Sequence, residues 1–330
     1  MKVEVSAPGK VFISGEYLAL NGSLATILST KQRAKITIED SNNTFNILYS
    51  LPSNKSFAFN VNNDFKIDWI NDDPEEMGLF IEQAILEMQI KPTKVQFVID
   101  TTNFYFQNKK IGIGSSAAIS SALTNAINKY FDKGYSQKKI INKAISLHKR
   151  AQDTLGSGLD VIAASADSGL IECDLESASK NSWTILEWPS DLLIKGVISN
   201  TQSRTKDMIE KFFAVRNNHK DFFKELQFKA DLLFKNLSSS WRDKDTRAIL
   251  ELMEEHNILM QELNKKYDLG IYTEQHQDLA NLASESGSFY KPSGAGGGDL
   301  GFILSDSETK LKKLLKKIRS KNLEIIDLKD

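Results

Sequence analysis

A glycine turn placed directly before a long run of small and apolar residues restricts the fold of this chain more than any other segment. Residues 111–118 read IGIGSSAA, and the apolar pattern continues to Phe131. Glycine allows positive φ and lets a ligand approach the backbone closely. The first turn of a helix offers unpaired N–H groups and the positive end of its dipole. The segment therefore predicts a helix over Gly114–Phe131 that begins in an anion-binding turn.

The candidate anion-binding residues are the members of this turn and the lysine before it. They are Lys110, Gly112, Ile113, Gly114, Ser115, Ser116 and Ala117. The two serine hydroxyls add hydrogen-bond donors, and a hydroxyl beside a phosphate can also bind Mg²⁺. The structural alternative is a glycine turn that leads into a tightly packed helix and needs no ligand.

Two other phosphate-binding motifs can be compared with this turn. A P-loop would end in Gly-Lys-Ser or Gly-Lys-Thr, and the turn has no such ending. The dinucleotide fingerprint fits formally, with Gly112, Gly114 and Ala117 at its three positions. That fingerprint requires an acidic residue after a second strand about 20 positions later. Residues 132–134 (DKG) lead into another helix pattern instead, so a dinucleotide-dependent oxidoreductase is a remote alternative.

Two further glycine clusters follow. Residues 291–299 (KPSGAGGGD) precede the apolar run Leu300–Leu304, and a flexible linker does not normally lead straight into a core strand. We therefore expect a loop with unusual φ values in contact with a ligand. Residues 156–160 (GSGLD) precede a second apolar run. Asp160 is there either a helix cap or a carboxylate directed into a pocket, and the residues alone favour the cap.

Composition argues against several classes of function. The chain has 330 residues, with 42 basic and 43 acidic side chains, so bulk charge does not favour nucleic-acid binding. One cysteine and four histidines argue against a disulfide framework or a Cys/His zinc cluster. No run reaches the roughly 18 apolar residues of a membrane span, and no signal-like leader is visible. We therefore expect a cytoplasmic protein.

Strand-type and helix-type patterns are mixed without regular alternation, which predicts the α+β class. Strands are predicted at 3–5, 11–13, 35–39, 95–99, 300–304 and 323–328, with weak strands and loops between 40 and 73. Helices are predicted at 79–88, 114–131, 137–152, 205–267 and 305–317, the fourth with a break near 238–240. A boundary near 175–195 predicts two lobes, over residues 1–180 and 181–330.

Together with APGK at 7–10 and GEY at 15–17, the glycine clusters resemble those of the GHMP small-molecule kinases. The blocks occur in the family's order and span nearly the whole chain. The resemblance implies a two-lobe α+β GHMP kinase fold, with a ribosomal-protein-S5-domain-2-like N-terminal lobe and a ferredoxin-like C-terminal lobe. It implies ATP as co-substrate at the Gly112–Ala117 turn, with Mg²⁺ at Ser116. It gives Lys10 and Asp160 the catalytic positions.

Two motifs resemble those of the phosphomevalonate kinases within that family, which implies 5-phosphomevalonate as acceptor. The central motif is His148, Ala151 and Gln152 with residues 156–161, and the third motif is residues 291–299. Mevalonate kinases tend to carry a metal-binding Glu eleven residues before the Asp, where this chain has Lys149. The acceptor-binding residues implied by the resemblance are Lys10, Tyr17, Ser157, Ser203, Thr205, Ser293, Gly296 and Gly297. For Ser203 and Thr205, capping of the helix from Lys206 is an equally good explanation.

Basic residues in or beside the motifs favour a phosphorylated acceptor. They are Lys10, Lys109, Lys110, Lys149, Arg150, Lys195, Arg204 and Lys291. Each by itself is an ordinary surface charge, but around one cleft they would suit two anionic substrates, because a phosphate monoester carries about −1.5 to −2 charges at pH 7. The expected partners are ATP and phosphomevalonate, without nucleic acid or membrane, for a monomer or homodimer. A mevalonate kinase and a non-catalytic binding protein on the same fold stay open as alternatives.

Overall fold

The chain divides into two compact units, each built from two segments. A computed structural model describes residues 1–71, 74–107, 109–153, 156–167, 169–180, 182–201 and 205–329. The first unit comprises Met1–Lys10 and Gln32–Asp167, and the second comprises Val11–Lys31 and Ser168–Asp330. Residues 11–31 thus group with the C-terminal part of the chain, whereas the division predicted from the sequence assigns them to the N-terminal lobe. The division of function between lobes 1–180 and 181–330 stays a prediction.

The elements of the described residues are as follows. The strands are β1 (Lys2–Ser14), β2 (Ala25–Asp40), β3 (Asn46–Leu51), β4 (Lys55–Val61), β5 (Ile67–Trp69), β6 (Val95–Asp100), β7 (Tyr105–Phe106), β8 (Lys109–Lys110), β9 (Leu170–Cys173), β10 (Thr184–Leu186), β11 (Leu193–Ile198), β12 (Phe289–Pro292), β13 (Leu300–Ser305) and β14 (Glu324–Ile326). The helices are α1 (Glu75–Met88), α2 (Ser115–Tyr130), α3 (Gln137–Ala151), α4 (Leu159–Ala166), α5 (Leu175–Ser179), α6 (Thr205–Asn218), α7 (Lys220–Asp243), α8 (Thr246–Tyr267), α9 (Glu274–Glu285) and α10 (Glu308–Arg319). None of these helices combines the length and apolar character needed to cross a bilayer.

In the first unit, alternating apolar residues bury one face of the sheet. Ile36 and Ile38 of β2 lie opposite Ile99 and Phe97 of the antiparallel β6, and all four are buried. Alternation of this kind follows from the two-residue period of a strand. β6 runs parallel to β3, and β3, β4 and β5 continue as an antiparallel series.

Small residues allow α2, α3 and α4 of this unit to pack closely. Ala117, Ala144, Val161 and Ala164 form one buried cluster that joins the three helices. The distance between packed helices depends on the side chains at the contact, so short side chains bring the backbones near one another. Because Ala117 and Val161 lie in the first turns of their helices, the N-terminal ends of α2 and α4 lie close together.

In the second unit, an antiparallel sheet in the order β12-β13-β11-β14 carries the late glycine cluster. α9 and α10 contribute Leu279 and Leu314 to a buried core that also contains Val197 of β11 and Ile303 of β13. The segment 293–299 therefore connects two neighbouring strands that are fixed by this core. β9 pairs with β10 and with residues 25–28 of β2.

Most predicted elements are confirmed within a few residues, including α1, α2, α3, β6 and β13. Two strand predictions differ from the structure. β1 runs unbroken through residues 7–10 instead of forming two strands, and the segment 40–73 contains the well-defined strands β3, β4 and β5. α9 has no counterpart among the predicted elements.

The predicted helix break near residues 238–240 is wrong. These serines lie inside α7, where Ser239 and Ser240 donate to the carbonyls of Lys235 and Asn236 one turn earlier, a bond that lets serine remain within a helix. The helical stretch is interrupted instead at His219, before α7, and at Lys244, after α7, where φ is 55°. The last predicted helix also starts later, because Ser307 caps α10 by accepting from the Lys310 N–H.

Candidate active site

The predicted anion-binding turn has the backbone geometry expected of it. Gly112 and Gly114 have φ values of 83° and 76°, and α2 begins at Ser115 with Gly114 as its N-cap. Ile111 and Ile113 are buried and anchor the turn, whereas Gly112, Gly114 and Ser116 are partly exposed. No described side chain caps α2. Its first N–H groups therefore remain for a ligand or water.

Lys10 lies directly against this turn. Its backbone N–H donates to the Ile113 carbonyl at 2.7 Å. A Cβ atom at Gly114 would lie 2.7 Å from Cε of Lys10 and 2.9 Å from its Cγ. Gly114 is thus required twice, once by its positive φ and once by the lysine side chain that crosses it. The structure brings together two of the predicted site residues that are distant in the sequence.

Ser116 and Asp160 both lie close to the same nitrogen of one imidazole. His148 Nε2 is 3.2 Å from Ser116 Oγ and 3.7 Å from Asp160 Oδ2. The three side chains come from α2, α3 and α4, whose small-residue contact sets their spacing. The imidazole is nearly buried, and 22% of the Asp160 side chain is exposed.

Asp160 is held by its own helix without being the N-cap. Gly158 is the N-cap of α4, and the Asp160 carboxylate accepts from the Val161 N–H through Oδ1 at 2.9 Å. A carboxylate in the first turn also interacts favourably with the helix dipole. Of the two readings that the residues leave open, the structure shows a carboxylate that stabilises the helix start and still directs Oδ2 toward His148. The nearby Ser157 accepts from the Leu159 N–H at 3.3 Å.

The oxygens of this group fit a magnesium ion that is bound mainly by nucleotide and water. Mg²⁺ prefers oxygen ligands and usually keeps several waters beside one or two protein groups. Ser116 offers a partly exposed hydroxyl at the start of α2. Among the described residues, no three His, Cys, Asp or Glu side chains converge on one point, so the protein would hold the ion through few ligands.

The remaining residues predicted around this group are placed as follows. Lys110 lies on the short strand β8, which pairs with β7, and both Lys109 and Lys110 are exposed. Lys149 follows His148 on α3 and is half-buried, and Arg150 lies 3.6 Å from Glu87. His148 was not assigned a role from the sequence, although it belongs to the central motif.

In the second unit, the late glycine cluster forms the tight loop that the sequence predicts. Gly294, Gly296 and Gly297 all have positive φ. A Cβ atom at Gly296 would lie 2.5 Å from the Ile271 carbonyl oxygen, so the backbone itself fills that space. The Gly297 N–H donates to the same carbonyl at 2.9 Å.

Two predicted acceptor contacts, Ser293 and Tyr17, form hydrogen bonds that join the first part of this loop to residues 12–17. Ser293 Oγ accepts from the Phe12 N–H at 3.0 Å, and the Tyr17 hydroxyl donates to the Ala295 carbonyl. Tyr17 is buried, which raises the pKa of its phenol. Thr205 is exposed at the first residue of α6. Ser203 and Arg204 lie outside the described residues.

Two members of the predicted basic set are paired with carboxylates, and one of them lies in the interior of the second unit. Lys291 is 1% exposed and forms an ion pair with Glu16, and burial lowers the pKa of its ammonium. Lys195 pairs with Asp327. Counting Lys291 as a cleft cation is therefore wrong, because composition does not reveal that Glu16 neutralises its charge in the interior. The place of Lys195 stays a prediction.

Both halves of the chain match family models. The model for the GHMP kinases N terminal domain matches residues 82–168, and that for GHMP kinases C terminal matches residues 233–324. A phosphomevalonate kinase of Streptomyces sp. (strain CL190) is 22% identical over 92% of this chain and 89% of its own length.

Solved structures show the same fold. Streptococcus pneumoniae phosphomevalonate kinase in complex with phosphomevalonate and AMPPNP gives a TM-score of 0.75 at 18% identity, over 98% of each chain. Methanococcus jannaschii mevalonate kinase gives 0.76 at 20% identity, over 99% of this chain and 97% of that chain. The predicted α+β fold with N- and C-terminal lobes is confirmed.

Proposed function

This chain belongs to the GHMP kinase family, and on that basis we propose that it transfers the γ-phosphoryl group of ATP to 5-phosphomevalonate, giving 5-diphosphomevalonate and ADP. One observation carries the proposal: the first unit groups Lys10 with the glycine turn, and Ser116 with Asp160. Phosphoryl transfer requires positioning and cationic stabilisation more than covalent chemistry. A lysine, the N–H groups at the start of α2, a hydroxyl and a carboxylate would supply those functions.

The glycine turn would bind the phosphates of ATP. Its partly exposed Gly112 and Gly114 permit close approach, and the start of α2 presents N–H groups toward a negative charge. Ile113, Ser115 and Ala117 belong to the same segment, and Lys110 would add a cation. Ser116 would hold Mg²⁺ together with ATP oxygens and water. The ion supplies positive charge against the phosphate oxygens when it is bound.

Lys10 and Asp160 would act on the transferred group and the acceptor. Lys10 crosses Gly114 and would offset negative charge on the phosphoryl oxygens in the transition state. A phosphate acceptor with a second pKa near 6 is mostly deprotonated at pH 7, so Asp160 need not remove a proton. We infer that Asp160 then chiefly orients Lys10 and the acceptor.

For the acceptor, we propose contacts from Lys10, Ser157, Ser203, Thr205 and Ser293 and from the backbone at Gly296 and Gly297. Tyr17, whose hydroxyl donates to the Ala295 carbonyl, would shape the loop that carries Ser293, Gly296 and Gly297. Support for a phosphorylated acceptor comes from Lys149, a cation at the position where mevalonate kinases tend to carry a glutamate that would repel a second anion. Two curated relatives named phosphomevalonate kinase give further support.

Mevalonate kinase is the second candidate, because a relative from Methanocaldococcus jannaschii carries that name at the same identity of 22%. A coupled ADP-release assay with mevalonate and phosphomevalonate side by side separates the two. We expect the higher kcat/KM with phosphomevalonate. A preference for mevalonate would reassign the substrate. Binding of ATP, measured as a rise in Tm, without turnover of either acceptor would point to a non-catalytic binding protein.

A further inference from the structure

Lys291 and Glu16 form a buried ion pair that the proposed chemistry does not use. The side chains are 1% and 5% exposed, and the residues lie 275 positions apart within the second unit. Lys291 occupies β12, two residues before Ser293, and its ammonium also lies 3.5 Å from the Ile13 carbonyl. Glu16 immediately precedes Tyr17. Each partner therefore lies within two residues of a predicted acceptor contact, Lys291 near Ser293 and Glu16 near Tyr17.

Stability alone does not explain this pair. Removing two charges from water is costly, and replacing a buried pair with apolar residues of similar volume is often neutral or stabilising. The neighbours Phe289 and Tyr290 are buried, and the Phe302 ring lies 5.2 Å from the Lys291 ammonium. An apolar side chain at position 291 would suit these surroundings. What a charged pair supplies and apolar packing lacks is a directional contact.

The histidine near Glu16 does not act as a second cation beside Lys291. His256 is fully buried with its Nε2 3.8 Å from Glu16 Oε2, and neither ring nitrogen has a hydrogen-bond partner among the described residues. Burial lowers the pKa of His256 to about 3, so this imidazole is neutral near pH 7. Lys291 is thus the cation that neutralises Glu16 among the described residues.

Two hydrogen bonds join the same two segments as the ion pair. The Phe12 N–H donates to Ser293 Oγ, whose own hydroxyl lies 3.4 Å from the Phe12 carbonyl. The Tyr17 hydroxyl donates to the Ala295 carbonyl. Together with the Lys291–Glu16 pair, these bonds connect residues 12–17 to residues 291–295 at three points.

We propose that Glu16 and Lys291 are positioning residues that fix the register of segments 12–17 and 291–295, and thereby set the affinity for the phosphorylated acceptor. Neither residue touches substrate; they act through Ser293 and the glycine loop. This inference rests on the proposed function, because the acceptor contacts of Ser293, Gly296 and Gly297 belong to that proposal. Displacement of binding groups by about 1 Å is enough to lower catalytic efficiency on the order of 100-fold.

The test is the double substitution Glu16→Met with Lys291→Met, compared with each single substitution and with Glu16→Gln. The single Met variants leave one buried charge unpaired, so we expect a large fall in Tm. In the double variant we expect a Tm near that of the parent protein, an acceptor KM raised roughly tenfold or more, and an unchanged KM for ATP. Glu16→Gln keeps an acceptor for the Lys291 amine and should retain most of the acceptor affinity.

A matched control is Lys312→Met, which removes the exposed ion pair with Glu308 and should leave Tm and both KM values unchanged. A double variant with the parental acceptor KM overturns the proposal. So does a double variant that does not fold, because the pair would then be needed for stability. So does a Glu16→Gln variant as impaired as the double variant.

Amide hydrogen exchange separates failure of this inference from failure of the proposed function. In the folded double variant we expect faster exchange in residues 12–17 and 293–298, with β13 still protected. This result requires no knowledge of the substrate. If the parent protein phosphorylates neither acceptor, the proposed function fails, while the exchange experiment still decides whether the pair fixes the register. Unchanged exchange in both segments contradicts the positioning role.

Discussion

His148 Nε2 lies 3.2 Å from Ser116 Oγ, although the two residues are 32 positions apart on different helices. The same nitrogen lies 3.7 Å from Asp160 Oδ2. One imidazole thus sets the spacing between the hydroxyl proposed to bind Mg²⁺ and the carboxylate proposed to orient the acceptor. Because the ring is nearly buried, its position is determined by helix packing and does not depend on a bound ligand.

Substitution of His148 should lower kcat more than it changes substrate affinity. We expect His148→Leu to reduce kcat by about 10- to 100-fold, because Ser116 and Asp160 lose their common contact. His148→Gln keeps a polar group of similar reach and should restore part of the rate. Steady-state kinetics of both variants test this, with the exposed His219→Gln as control. Equal losses for Leu and Gln would indicate that only the ring volume matters.

Gly114→Ala should impair ATP binding through a collision and not only through strain. The new Cβ would lie 2.7 Å from Lys10 Cε, and φ at this position is 76°. Gly134 is a matched control, since its φ is 63° and a Cβ there would meet nothing within 4 Å. Both variants should lose about 1–2 kcal/mol of stability from the positive φ.

Only Gly114→Ala should also weaken ATP binding, measured by calorimetry or by the ATP-induced rise in Tm. If Gly114→Ala binds ATP as well as Gly134→Ala does, the turn does not contact the nucleotide, and the assignment of the phosphate site is wrong.

Asp160→Asn should be more damaging at low pH. Near pH 5.5 a phosphate acceptor is partly protonated, and a base near the reacting oxygen then contributes to the rate. Above pH 7 most acceptor molecules carry no proton to remove, so the loss should be smaller. The ratio of parent to variant kcat/KM, measured between pH 5.5 and 8, gives the answer. A loss that is constant across this range contradicts the proposed role.

Lys149→Glu should reduce the preference for a phosphorylated acceptor. The substitution replaces a cation by an anion next to His148, and a second negative charge near an anionic substrate weakens binding. We expect kcat/KM for phosphomevalonate to fall more than that for mevalonate. Lys138→Glu makes the same charge change at the exposed start of α3 and controls for long-range effects. Equal effects of the two substitutions would place Lys149 outside the acceptor site.

Much of the fold was predictable because its signals are local. The alternation of Ile36 and Ile38 predicts a strand, and the glycines at 112 and 114 predict a positive-φ turn before a helix, since each depends on neighbouring residues alone. Local signals were misleading where a hydroxyl had a choice of partners. Ser239 and Ser240 suggest a break, yet their hydroxyls bond to the preceding turn and α7 continues to Asp243.

Residue order was thus enough for the glycine turns, most helices and strands, and the resemblance to a kinase family, because backbone preferences act over a few residues. Only tertiary packing shows that the small residues of α2, α3 and α4 bring His148 close to both Ser116 and Asp160. The same holds for Lys291. From the sequence it is expected to be a surface cation, but in the fold it is buried against Glu16. The physical reason is that a charge acts according to its partners and its exposure to water, and both are set by contacts between residues far apart in the chain.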